Sequence, residues 1–221
     1  MEINKDKLKE AAHDLRFLLN RDYRKKNALN FVANKYVLSK QERNYLARSI
    51  FRDLVSNSRK KKIIDISEIK DKLVLIDGYN VLITVESICR EDYNSLFVSD
   101  DLILRDLNAV FGKYKFNNYT EKALNSILLL LEKYEPSFVN FFFDSPVSFS
   151  GKLTNLTNEL ISHYEIQGSA NVSKNVDFEI VEVSLARNGI IASSDSVVID
   201  KVHKIVDIPY TMLKIRKNDI I

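Results

Sequence analysis

Leu73-Val74-Leu75-Ile76-Asp77-Gly78-Tyr79-Asn80 is the stretch on which the fold turns. Four apolar residues in a row, stopped by an aspartate and a glycine, read as a short buried strand ending in a turn. The same grammar recurs downstream. Phe138-Val139-Asn140-Phe141-Phe142-Phe143 reads as a second strand, and Asp144 follows it directly. Ile190-Ile191-Ala192 reads as another, followed by two serines and Asp195. Amphipathic stretches lie between. Residues 123–133 carry Leu124, Ile127, Leu128 and Leu131 on one side, 153–163 read as a helix before a short strand at 164–166, and 174–188 read as a helix with Gly189 as its C′ cap. The apolar run 197–199 lies just beyond the strand at 190–192. Strands alternating with helices predict an α/β domain with a mainly parallel sheet.

Upstream the texture differs. Leu8, Ala11, Ala12, Leu15, Leu18 and Leu19 recur at helical spacing, and Ala28, Leu29, Val32, Ala33 and Tyr36 share a second face. Ser39 with Glu42 is a capping-box pattern opening a third helix with Tyr45, Leu46, Ser49, Ile50 and Leu54. Up to Lys62 there are 17 Lys/Arg against 7 Asp/Glu, a net of +10; the remainder holds 16 against 23, a net of −7. The expected division is a small all-helical basic domain over 1–62 and an α/β domain over 63–221.

Two readings fit the basic front: a solvated helix face with a basic linker at Arg59-Lys60-Lys61-Lys62, or a surface for nucleic-acid phosphates. On the second, Arg21, Arg24, Lys25, Arg43 and Arg48 are the RNA-binding candidates. Tyr23, Tyr36 and Tyr45 are either core residues or platforms for bases. The single cysteine, Cys89, excludes a disulfide framework and a Cys-based zinc site, and the three histidines lack ligand spacing. No apolar run is long enough to span a bilayer, and the charged N-terminus has no signal-peptide stretch. The expectation is a cytoplasmic protein with no membrane partner.

Asp77, Asp144 and Asp195 each follow a strand, and ligands of open parallel sheets bind at the carboxyl ends of strands. Asp177, near the start of the next helix, joins them from an adjacent turn. Carboxylates gathered in one place repel unless a cation sits among them, and hard ions such as Mg²⁺ or Mn²⁺ suit all-oxygen ligands. Asn80, one turn past Asp77, is placed to orient a substrate phosphate. Each aspartate also has a plainer reading as a turn former, an N-cap or a first-turn helix acid.

Val74-Leu75-Ile76-Asp77-Gly78-Tyr79-Asn80 resembles the opening motif of the NYN branch of PIN-like nucleases, an apolar strand followed by Asp-x-x-Asn. Phe141-Phe142-Phe143-Asp144 is similar to that group's second acidic strand end. Lys174-Asn175-Val176-Asp177 resembles its Lys-x-x-Asp element, and Ile191-Ala192-Ser193-Ser194-Asp195-Ser196 its last acidic motif. The resemblance covers residues 70–210. It implies a Rossmann-like α/β/α sandwich, a Mg²⁺ or Mn²⁺ ion held by Asp77, Asp144, Asp177 and Asp195, and RNA as substrate. Val197 stands where that last motif commonly carries a second acid, with Asp200 three positions further on. The long segment between the first two motifs offers Asp101 or Asp106 as additional acids and Arg105 and Lys113 as phosphate contacts, alongside Lys174. The layout also resembles uncharacterised archaeal proteins in which a basic helical domain precedes a PIN-like one, with Arg21-Asp22-Tyr23 and Gln41-Glu42-Arg43 carrying the likeness.

These features predict a metal-dependent endoribonuclease. The alternatives are a non-catalytic RNA-binding or ribonucleoprotein factor on a degenerate PIN-like fold and, ranked below it, a phosphatase of the haloacid-dehalogenase type. That chemistry wants a second aspartate where this chain has Tyr79. Oligomeric state stays open, with a homodimer the option that the resemblance brings.

Overall fold

The structure is a computed structural model and describes residues 5–107, 114–145, 147 and 149–218. Helices α1 (Lys5–Leu19), α2 (Lys25–Lys35), α3 (Lys40–Ser49) and α4 (Asp53–Lys60) form the front region. Its core is the apolar set read from the periodicity, including Ala11, Leu15, Leu19, Val32, Ala33 and Leu46. The capping box at α3 forms: the Glu42 N–H donates to Ser39 Oγ at 3.3 Å and the Ser39 N–H to the Glu42 carboxylate at 2.7 Å. The third helix does not continue to Leu54, which is 69% exposed. Ile50 turns extended, and a new helix starts because Asn20, at the end of α1, accepts the Asp53 N–H at 2.9 Å and donates to the Asp53 carboxylate at 2.7 Å. That cap comes from 33 residues away, beyond the reach of local pattern.

The body begins with β1 (Ile63–Ile64), β2 (Leu73–Asp77) and α5 (Gly78–Cys89), followed by a hairpin of β3 (Leu96–Val98) and β4 (Leu104–Asp106). It continues as α6 (Thr120–Tyr134), β5 (Phe138–Asp144), α7 (Ser150–His163), β6 (Gly168–Ser173), α8 (Val176–Arg187), β7 (Ile190–Ala192), α9 (Ser196–Lys201), β8 (Ile205–Val206) and α10 (Ile208–Asn218). The main sheet has six parallel strands in the order β1-β8-β7-β2-β5-β6. Alternate strand residues feed two cores. Val74, Ile76, Val139, Phe141 and Phe143 pack with side chains of α5, α6 and α7 such as Leu82, Leu124 and Leu153. Leu75, Phe142 and Ile191 pack with Ile180 of α8 and Val198 and Ile199 of α9. The result is the expected α/β fold with helices on both faces.

Two local expectations are corrected. The strand expected at 164–166 instead runs over β6, because Tyr164 ends α7 and Glu165 turns left-handed (φ 53°). The left-handed residue ending α8 is Asn188 (φ 52°), not Gly189. Gly189 is small for packing: a Cβ there would meet Leu75 Cδ1 at 3.0 Å. The apolar run 197–199 lies just beyond β7, as expected, and belongs to α9. No helix among the described residues is long and apolar enough to cross a membrane.

Candidate functional site

From β2 the chain builds outward through β5 to β6, then returns to place β7 on the other side of β2. The crevice between β2 and β7 is therefore the topological switch point, where parallel sheets of this kind bind ligands. Asp77 closes β2 at this spot. Ala192 pairs in register with Ile76, so Ser193 arrives beside Asp77. Ser193 Oγ donates to Asp77 Oδ2 at 2.7 Å, and Asn80 Nδ2 donates to the same oxygen at 2.6 Å. Burial pushes the Asp77 carboxyl up to about 7; the two hydrogen bonds pull against it, and the carboxylates of Asp195 and Asp177 push further up. Only 2% of the residue is exposed.

The other three aspartates converge on the same sheet edge. Asp144 ends β5 and is raised by burial and then by the Asp177 charge. Asp177 lies in the first turn of α8 and is raised by burial and then by Asp195, with Lys201 opposing. Asp195 is the N-cap of α9, its Oδ1 accepting the Val197 N–H at 2.6 Å and the Val198 N–H at 3.4 Å. The capping role read for Asp195 and its place beside the site are both present. Asp177 lies within electrostatic reach of each of the other three, and Asp195 of Asp77, yet among the described residues no three His, Cys, Asp or Glu side chains are grouped as one ion's ligands. The donor chemistry nevertheless fits a hard dication: every candidate ligand is an oxygen, and a cation would offset the burial and relieve the added repulsion that together raise Asp77, Asp144 and Asp177.

In front of Asp144 and Asp195 opens a cavity of about 800 Å³ between the front helices and the body, with Asp77 behind Asn80 and Asp177 outside its wall. Asn80, Tyr79, Asp144 and Asp195 line one side; Lys25, Arg48, Phe51 and Arg52 line the other. Phe51 holds the cations together. Lys25 Nζ lies 4.0 Å from its ring centroid, and the guanidinium carbons of Arg59 and Arg105 lie 4.4 and 5.2 Å from it. Lys25 donates to the Ile50 carbonyl at 2.8 Å, and burial, with Arg59 and Arg105 nearby, lowers its pKa to about 8. Tyr79 is 6% exposed, its ring tilted against Tyr114 and edge-on to Phe143; its buried hydroxyl has no hydrogen-bond partner among the described residues.

Several expected contacts sit elsewhere. Asp101 is no site acid: burial raises it, but Arg105 outweighs that, with help from Ser99 and Arg59, and holds it below the usual carboxylate range. Arg105 lines the cavity but is committed to Asp101, with Nη2 at 2.9 Å, and to the Ser194 carbonyl at 3.2 Å, which removes it as a free phosphate contact. Asp106 is buried and accepts from Ser87, while its carbonyl accepts from Arg48. Asp200 lines the cavity and is bound to Arg59 in bidentate fashion at 2.7 and 2.8 Å. Lys174 is exposed and is not part of the cavity wall; Lys113 lies outside the described residues. Of the five front cations, Lys25 and Arg48 face the cavity. Arg21 lies over the Phe17 ring at 3.5 Å, Arg24 is exposed at the start of α2, and Arg43 donates to the Leu38 carbonyl and to Asn34. Tyr36 and Tyr45 pack on the front core, whereas Tyr23 is exposed at the cavity. Arg52, Arg59, Phe51 and Tyr79 are the site residues that sequence reasoning did not single out.

Fold and site together define an α/β sandwich with aspartates at its switch point and a basic helical region across a shared cavity. Residues 66–211 match the family described as "Domain of unknown function (DUF5616)", and the chain belongs to that family. Residues 7–62 match a "Protein of unknown function (DUF434)" model. An uncharacterized protein of Methanocaldococcus jannaschii is 37% identical over 203 residues, covering 91% of this chain and 94% of that protein. No solved structure matches the chain.

Proposed function

We propose that the chain is a metal-dependent, PIN-like endoribonuclease. The observation that carries the reading is the placement of Asp77. It is a buried carboxylate at the switch point, held by Asn80 and Ser193, with Asp177 and Asp195 in electrostatic reach and Asp144 in turn within reach of Asp177; Asn80, Asp144 and Asp195 face cations across one cavity. Asp77, Asp144, Asp177 and Asp195 would hold the ion. Mg²⁺ or Mn²⁺, when bound, supplies charge neutralisation and water activation for phosphodiester hydrolysis. Asn80 and Ser193 keep the Asp77 carboxylate in one orientation, and Lys25, Arg48 and Arg52 balance the charge of the RNA phosphates. The test is cleavage of a mixed pool of small RNAs with Mn²⁺ or Mg²⁺. Asp77→Asn and Asp195→Asn should each lower the rate at least a hundredfold; unchanged cleavage in both variants rejects the reading.

A second reading has its own support. Asp195 already caps α9, and the four carboxylates stand apart rather than as one ligand set. On this view the protein is a non-catalytic RNA-binding factor. Tight, steeply salt-sensitive RNA binding without cleavage at any divalent concentration selects it.

A further inference from the structure

The front helices contribute an arrangement that a solvated basic face does not need. Arg24, Lys25 and Lys26 stand together at the N-terminus of α2, whose first turn holds no acid and whose N-cap Arg24 makes no side-chain cap bond. The helix dipole is positive there, so three cations at that end are unfavourable on their own. Lys25 lies largely buried against Phe51, and among the described residues no carboxylate pairs with it. Tyr79 lines the same cavity, and its buried hydroxyl has no hydrogen-bond partner among the described residues. A largely buried ammonium held by a carbonyl and a ring but by no carboxylate among the described residues, together with a buried hydroxyl lacking a partner among them, marks a place for an anion with hydrogen-bonding oxygens.

The size of the cavity restricts that anion's carrier. At about 800 Å³ it falls in the range of about 300–1,000 Å³ typical of pockets that enclose a small ligand. Duplex RNA, by contrast, is read along roughly 16 base pairs of open surface. The front region is also stapled to the body at one margin, where Arg59 reaches Asp101 at 3.0 Å, Asp200 at 2.7 Å and Ser196 at 3.2 Å. A second tie joins Arg16 to Asp100 at 2.6 Å. Arg59, Asp200 and Ser196 line the cavity, so the first of these ties bounds it and favours a ligand that enters end-first. We propose that the cavity binds a nucleoside phosphate group, free or at the end of an RNA strand, with the terminal phosphate held opposite Asp144 and Asp195 by Lys25 and Arg48, and by Arg52 in exchange for its ion pair with the exposed Asp22 at 2.6 Å. The inference rests on the nuclease reading for the chemistry that follows binding, but not for the pocket itself.

The test uses the full chain in metal-free buffer, so that binding is read without turnover. Titrations compare tetranucleotides with a 5′-phosphate, with a 3′-phosphate and with hydroxyls at both ends, and adenosine monophosphate as competitor. One phosphorylated end should bind at least tenfold more tightly than the hydroxyl form. Lys25→Met should erase that gain and Lys25→Arg should retain it, which separates lost charge from lost folding. Competition by the mononucleotide identifies free nucleotides as a source, and its failure to compete assigns the pocket to strand ends. Equal affinity for all three tetranucleotides overturns the proposal, even if Asp77-dependent cleavage is found. Discrimination without any cleavage leaves the pocket standing and removes the nuclease.

Discussion

At the scale of single residues, Asp77 shows how far the site departs from what folding alone favours. A carboxyl moved from 3.8 to about 7 carries a penalty on the order of 4 kcal/mol when ionised, at about 1.4 kcal/mol per tenfold change in acidity. Its folded-state value lies above the unfolded one, so the native state holds the proton more tightly. The stability this contributes is fully present below about pH 4 and is lost as pH rises to about 7. Asp77→Asn keeps a side-chain oxygen for Asn80 and Ser193 but removes the charge. The variant should therefore be more stable than the parent at pH 8, by about 2–4 kcal/mol, with the gain shrinking towards zero near pH 4. Urea unfolding at pH 4.5, 6 and 8 measures it, and a variant less stable at pH 8 contradicts the account. Saturating Mg²⁺ should narrow the gap by stabilising only the parent, because ligands of the native state stabilise by mass action.

At the scale of elements, the decisive joint is that from β2 into α5, which leaves no loop between strand and helix. Gly78 makes it feasible, because a Cβ there would lie 2.3 Å from the Phe143 ring and 2.8 Å from the Phe142 carbonyl oxygen. The ring has some freedom, but the carbonyl belongs to the β5 backbone. Gly78→Ala should then force β2 and β5 apart at the site, at about 1–3 kcal/mol for overpacking. Cleavage should fall by more than the stability loss explains, since Asp77 and Asp144 end these two strands. An alanine variant with parental stability and rate shows that the joint yields freely. The strands carrying Asp77, Asp144 and Asp195 were legible because each central strand, buried on both faces, is written as an apolar run. β6 was not: Gly168-Ser169-Ala170-Asn171-Val172-Ser173 buries only Ala170 and Ser173 and lies at the sheet edge, its identity set by pairing with β5. Two-residue strands such as β1 and β8 carry no period to read.

At the scale of the whole molecule, the part of the site that the sequence concealed is the part made by tertiary ion pairs. Arg59 opens the run Arg59-Lys60-Lys61-Lys62, which reads as a basic linker, yet it is 3% exposed. Its partners Asp101 and Asp200 lie 42 and 141 residues away. Nothing local distinguishes it from the lysines that follow. Through Arg59 the front helices and the body share one charge network, with Arg105 on the other side of Asp101. Removing one member of a buried pair leaves the rest uncompensated, at about 3–5 kcal/mol for a fully buried partner. Asp101 keeps Arg105, and Asp200 is half exposed, so the expected loss for Arg59→Met is smaller, about 2–3 kcal/mol. The more telling readout is cooperativity. Tyrosine fluorescence and far-ultraviolet circular dichroism should follow one coincident unfolding transition in the parent. In Arg59→Met the transitions should separate, as the front helices and the sheet unfold independently. A single, coincident transition with an unshifted midpoint would mean that apolar packing, not this network, joins the two regions, and that the cavity keeps its shape without Arg59.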